Sequence, residues 1–137
     1  MDPLSLTASI ITVVGLAGEV GKNLQKFRHI SAEIHSLIND VSDLQAVIVE
    51  VDRVVIQYQV TAHVPEEAIL NLSKTVQTAR RRLTELNEVI LESRGADGKA
   101  KMVRLKWIRA KAKAASIQQS LRDLRMNLVT ILGTLCS

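Results

Sequence analysis

The chain is expected to fold as an all-α, antiparallel bundle of about four helices, and three observations lead there. Hydrophobic residues make up 47% of its 137 positions while aromatics make up 2%, and two prolines and six glycines are all that punctuate it. Apolar residues then recur at alternating steps of three and four along most of the chain, the spacing of a helical stripe. Turn-forming residues gather at about 61–64 and 93–98, where such stripes stop. A sheet protein of this size would show more turns and more β-branched alternation, and a disordered chain could not hold so much apolar content. An extended coiled-coil homodimer is the rival architecture, but two breaks in so short a chain favour folding back on itself. No repeat, low-complexity tract or linker divides residues 1–137, so one domain with one core is expected.

The first helix, at about 3–23, starts from Asp2 as N-cap and Pro3 in the first-turn position. Leu4, Leu6, Ile10, Ile11, Val13, Val14, Leu16, Ala17 and Val20 surround it rather than forming one narrow stripe, and no charge falls between Asp2 and Glu19. A helix apolar all round belongs in the middle of a bundle. The uncharged window would span about 24 Å, short of the roughly 30 Å hydrocarbon core of a bilayer, so a permanent membrane span is marginal. Gly15, Gly18 and Gly21 recur every third residue. Each costs a helix interior about 1 kcal/mol in water, and small residues at such spacing permit close helix approach in membranes.

The second helix, about 31–60, has Ser31 as its cap and the stripe Ile34, Leu37, Val41, Leu44, Ile48, Val51, Val55 and Tyr58. The third, about 65–93, opens with Pro65, Glu66 and Glu67, the last two at the favourable end of the helix dipole. Its stripe is Ile69, Leu72, Val76, Ala79, Leu83, Leu86 and Ile90, and Gly95 and Gly98 end it. The fourth, about 98–135, takes Asp97 as cap and the stripe Val103, Trp107, Ala110, Ala114, Ile117, Leu121, Leu124, Leu128, Ile131 and Leu135. Ala110, Ala112, Ala114 and Ala115 are small enough to bring this helix close to its neighbours.

Charge divides the chain. Residues 1–98 hold 9 Lys/Arg against 13 Asp/Glu, whereas residues 99–137 hold 9 Lys/Arg against Asp123 alone, so a net +4 conceals −4 and +8. The run Lys99, Lys101, Arg104, Lys106, Arg109, Lys111, Lys113 opposes the dipole of the helix it begins, which asks for a compensating partner. Three partners fit: acidic side chains on the other helices, anionic phospholipid headgroups, or nucleic acid phosphate. Nucleic acid is the weakest, because Phe27, Tyr58 and Trp107 are scattered and form no stacking platform. Arg80, Arg81 and Arg82 read as a solvated helix face.

No catalytic constellation is visible. His29, His35, His63 and Cys136 lack metal-ligand spacing, there is no phosphate-binding glycine loop, nucleophile elbow or HExxH, and neither a metal nor an organic cofactor is expected. The sequence therefore predicts a non-enzyme. A single cysteine points to a reducing compartment, and Asp2 stands where a secretory leader wants positive charge.

The opening residues 1–17, Met-Asp-Pro-Leu-Ser-Leu-Thr-Ala-Ser-Ile-Ile-Thr-Val-Val-Gly-Leu-Ala, resemble the start of the fungal HeLo-like N-terminal domains found on STAND, NLR-like and ankyrin-repeat proteins. The segment Val103-Arg104-Leu105-Lys106-Trp107, followed by a basic stretch and then Leu121 through Leu128, is similar to the "RLKW" helix of that family. The resemblance runs over essentially the whole chain and implies a helical bundle akin to the HeLo domain and to the four-helix bundle of the mixed lineage kinase domain-like pseudokinase. It further implies a cell-death effector of fungal innate immunity or heterokaryon incompatibility, in which a regulatory NLR or amyloid-motif partner drives homo-oligomerisation and the domain moves from cytoplasm to plasma membrane. On that reading the chain looks like an effector domain cut from a longer protein. Leu4, Leu6, Ile10, Ile11, Val13, Val14, Leu16 and Val20 are expected to insert, Gly15, Gly18 and Gly21 to pack in the assembly, and the basic run from Lys99 to Lys113 to hold anionic lipid. Removal of residues 1–20 is expected to leave the rest of the bundle folded. The competing expectation is a soluble homotypic adaptor with no membrane activity.

Overall fold

The computed structural model describes residues 3–61, 66–93 and 100–136, and side chains within 5–58, 66–93 and 104–136. Four helices account for nearly all of them: α1 (Pro3–Gln25), α2 (Ala32–Thr61), α3 (Glu66–Ser93) and α4 (Ala100–Cys136). The expected all-α bundle is what forms, with each helix boundary within about two residues of its sequence-based position. Asp2, Pro65, Gly95, Asp97 and Gly98, expected to start or stop helices, lie outside the described residues.

The heptad stripes form the core. Leu37, Val41, Leu44, Ile48 and Val51 of α2 are buried, as are Leu72, Val76, Ala79, Leu83 and Leu86 of α3 and Trp107, Ala114, Ile117, Leu121 and Leu128 of α4. Tyr58, Ile69, Ala110 and Ile131, at the stripe ends and edges, are half-buried. Burying these side chains, at about 1.5–3 kcal/mol each, is what drives the four helices together. Ala114 alone of the four alanines in 110–115 is fully inside, Ala110 is half-buried, and Ala112 and Ala115 face solvent, so only part of that cluster serves close approach.

The helices alternate in direction, but consecutive helices are not all neighbours. A tight turn through Lys26–Ile30, closed by backbone bonds from Phe27 N to Leu24 O and from Ile30 N to Phe27 O, folds α2 back along α1. α1 then packs on α2 and α3, and α4 packs on α3 and α2, so that α2 lies diagonally across from α3 and α1 across from α4. Two of the four neighbouring pairs are consequently parallel. Contacts from α4 to α2 rise together along both chains: Gln118 Nε2 donates to Ser36 Oγ (2.8 Å) and Asp40 Oδ2 (2.6 Å), Arg122 Nε to Asp40 (2.8 Å), and Arg125 to Asp43 (3.1 Å). Tyr58 Oη donates to the Leu135 carbonyl at the far end of the same seam.

α1 is a corner helix. Leu6, Ile10, Val13, Ala17, Val20 and Leu24 form a 4-3-4-3-4 stripe that is at most 1% exposed. The expectation that a helix apolar all round would be central is therefore overturned: a buried stripe was embedded among further apolar residues, and it alone specifies a corner position. Because six α1 side chains complete the core, removing residues 1–20 would expose the buried faces of α2 and α3, contrary to the expectation that the remaining helices stay folded.

Candidate membrane-contact surfaces

The candidate residues read from the sequence fall on two surfaces, the outward side of α1 and the outward side of α4. On α1, the eight residues expected to insert separate into classes. Leu6, Ile10, Val13 and Val20 are core, Val14 and Leu16 are half-buried against it, Ile11 is 59% exposed, and the Leu4 side chain lies outside the described residues. The outward side nevertheless has no charge from Ser5 to Gly18: it consists of Ser5, Ala8, Ile11, Thr12 and Gly15, with the Ser9 and Thr12 hydroxyls bonded back to the Ser5 and Ala8 carbonyls. Those internal bonds satisfy the hydroxyl donors and so reduce the polarity these side chains present outward. α1 is held by apolar contact, by Gln45 Nε2 donating to the Val14 carbonyl (3.1 Å) and by Asn23 donating to Asn87 (2.8 Å). No ion pair ties it to the other helices among the described residues.

The glycines divide as well. A Cβ on Gly18 would stand 3.3 Å from Gln45 Nε2, so its small size leaves room for the bond Gln45 makes to Val14. A Cβ on Gly15 or Gly21 would meet nothing within 4 Å. Packing within this bundle does not require glycine at either place.

On α4, the basic run points away from the core. Arg104, Arg109, Lys111 and Lys113 are exposed, Lys106 is half-buried, Lys99 lies outside the described residues, and Lys101 falls in the first turn of α4 with its side chain undescribed. None of the described five forms an ion pair. Hydrogen bonding in the first turn of α2 lowers the Glu33 pKa, and the charge of Lys111 adds a smaller effect in the same direction. The acidic helix is instead met by Arg122 and Arg125, which pair with Asp40 and Asp43. Of the three partners open to the basic run, acidic side chains on the other helices therefore form no ion pair with Arg104, Lys106, Arg109, Lys111 or Lys113. Arg104 and Lys111 share an edge of α4 with Gln118, Arg122 and Arg125 but come earlier along the helix than the stretch that meets Asp40 and Asp43, whereas Lys106 and Lys113 lie on the other edge.

Between the basic side chains runs a second apolar stripe that the heptad reading passed over. Leu105 (49% exposed) and Ile108 (58% exposed) lie with Ala112 and Ala115 on the side opposite the buried Trp107, Ala114 and Ile117. Its 3-4-3 spacing was present in the sequence, interleaved with the core stripe and disguised by it. Arg104 and Lys111 fall along one edge of this stripe and Arg109 and Lys113 along the other, at i,i+7 and i,i+4 spacing.

Nothing in the interior competes as a site. The niche between Leu24, Phe27, Ile34, Ile90 and Trp107 holds about 10 Å³, no more than a single water would need. Among the described residues there is no cluster of three His, Cys, Asp or Glu placed to hold a metal, and no helix is long and apolar enough to cross a membrane. His29 and His35 are exposed, His63 lies outside the described residues, and Arg80, Arg81 and Arg82 lie on α3, where Arg82 bonds Glu85 at 3.0 Å. Comparison of the chain with protein-family models, with curated proteins and with solved structures finds no match in any of the three.

Proposed function

We infer that this chain is a membrane-permeabilising effector domain of the HeLo-like kind, held as a closed bundle until oligomerisation exposes α1 to a bilayer. The observation behind this reading is the apolar character of α1 beyond what its place requires. A corner helix needs one buried stripe, and Leu6 through Leu24 supply it. Corner helices ordinarily present charge to water on the other side, as α2, α3 and α4 do, yet α1 presents none from Ser5 to Gly18. A helix of that kind carries no charge into lipid along this stretch, and among the described residues no ion pair ties it to its neighbours, so the apolar core contacts are what oligomerisation must replace. The membrane partner is an anionic phospholipid bilayer, the assembled state is a homo-oligomer, and Gly15 and Gly21 give that assembly the close approach the closed bundle does not use.

The test is dye release from liposomes containing phosphatidylserine. The wild-type chain, concentrated or tethered to drive self-association, is expected to release dye. Ile11→Glu, placed on the exposed side where the closed fold tolerates it, is expected to reduce release at least about tenfold, since a carboxylate in the hydrocarbon region costs several kcal/mol. Undiminished release by a folded I11E variant would mean that α1 is not the inserting element.

A further inference from the structure

We propose that the outward side of α4 around Leu105 and Ile108 docks the closed bundle flat on an anionic bilayer before any helix is released. The inference rests on the membrane reading above but concerns a different surface and an earlier event. Three features converge there. Leu105 and Ile108 expose roughly half of their surface each, although Leu and Ile elsewhere on this helix are mostly turned inward. They continue through Ala112 and Ala115 as a straight apolar stripe about 15 Å long at 1.5 Å per residue. Basic side chains border the stripe on both edges, Arg104 and Lys111 on one and Arg109 and Lys113 on the other, and no acid lies between Asp97 and Asp123.

This is the pattern of a helix lying in a membrane interface: an apolar centre sinks to the acyl boundary while flanking cations reach headgroup phosphates on either side. Long basic stems suit that arrangement, since they lie along the apolar surface and keep their charge at the headgroups. The same residues suit nucleic acid poorly. A phosphate backbone would be met by the cations but would leave Leu105 and Ile108 against a polar groove, and no aromatic stands beside them to stack a base. A protein partner would need acidic complementarity, and a second copy offers its acids in small separate groups: Glu66 and Glu67 open α3, Glu85 and Glu88 follow Arg80, Arg81 and Arg82, and Asp40 and Asp43 already pair with Arg122 and Arg125. The uninterrupted negative charge of an anionic bilayer is the better complement. Because the stripe is exposed while the core of α4 stays buried, docking requires no unfolding, and it would leave α1, diagonally opposite, off the membrane.

The experiment is flotation of the full chain with vesicles of phosphatidylcholine alone or with 30 mol% phosphatidylserine, roughly the anionic share needed for a substantial surface potential. Leu105→Ser/Ile108→Ser keeps every charge, and Arg104→Gln/Lys111→Gln keeps the stripe; circular dichroism and thermal melts check that both remain helical. Binding to phosphatidylserine vesicles, its loss in 1 M salt, and a fall of about tenfold or more in each double variant are expected. Wild-type binding by L105S/I108S would overturn the proposal, as would failure of the wild-type chain to float. Tight binding of a DNA duplex without vesicle binding, or a dimer in sedimentation that L105S/I108S dissolves, would overturn it in favour of nucleic acid or a second copy. The two readings fail separately. Flotation without dye release defeats permeabilisation and keeps docking, whereas release by an L105S/I108S variant that still floats keeps permeabilisation and defeats docking.

Discussion

Asp52 is the one carboxylate of α2 whose environment works against its charge. It is mostly covered, its Oδ1 is buried without a hydrogen-bond partner, and burial pushes its pKa above the ordinary aspartate value. A carboxyl that is easier to protonate when folded binds more protons in the native state, so its contribution favours folding at low pH and is lost as pH rises through the carboxylate range. Asp52→Asn is accordingly expected to raise the melting temperature by a few degrees at pH 7 and to make little difference near pH 3.5. Thermal melts of both proteins across that interval check the sign. A gain that vanished at neutral pH would contradict the burial argument. At the α2/α4 seam Asp40 accepts from both Gln118 and Arg122, and Asp40→Ala should cost about 1–3 kcal/mol in denaturant titration by removing both bonds to its carboxylate.

Among the elements, α1 shows best how far residue patterns reach. Its ends were legible, as were the heptad stripes of α2, α3 and α4, because a 3-4 spacing has one structural meaning over so many turns. The corner position was not legible, since a stripe of buried residues within a longer apolar run looks the same as a run buried on every side. The orientation of the basic side chains was equally hidden. Periodicity shows which residues avoid water but not which neighbour faces each edge, and thus not that Arg122 and Arg125, rather than Lys111 and Lys113, meet Asp40 and Asp43. The Leu105 and Ile108 stripe could have been found by asking for a second period on the polar side of α4. For the glycines the structure leads to a direct expectation. Gly15→Ala and Gly21→Ala meet no neighbour and should each stabilise the closed bundle by about 1 kcal/mol, measured by chemical denaturation, with the same substitutions lowering dye release if the assembled state uses the space.

For the whole molecule, cooperativity is set by one shared core. Side chains from every helix enter it, and α1 alone contributes Leu6, Ile10, Val13, Val20 and Leu24. Deleting residues 1–20 is expected to abolish the cooperative thermal transition and leave a helical, dye-binding collapsed state, which makes single charges such as I11E better probes of α1 than truncation. A truncated chain that melts sharply would show that α2, α3 and α4 hold together without it.

The parallel run of α2 and α4 has a practical corollary. Tyr58 meets Leu135, and α1 returns along α2, so the first turn of α1 and the last turn of α4 share one end of the bundle. Cys136 is exposed there and is the chain's single thiol. It stands about 42 Å along α4 from Ile108, counting 1.5 Å per residue. A thiol-reactive fluorophore therefore attaches at one defined point without touching the α4 stripe, and energy transfer from it to labelled headgroups would report the tilt at which the bundle rests on a vesicle.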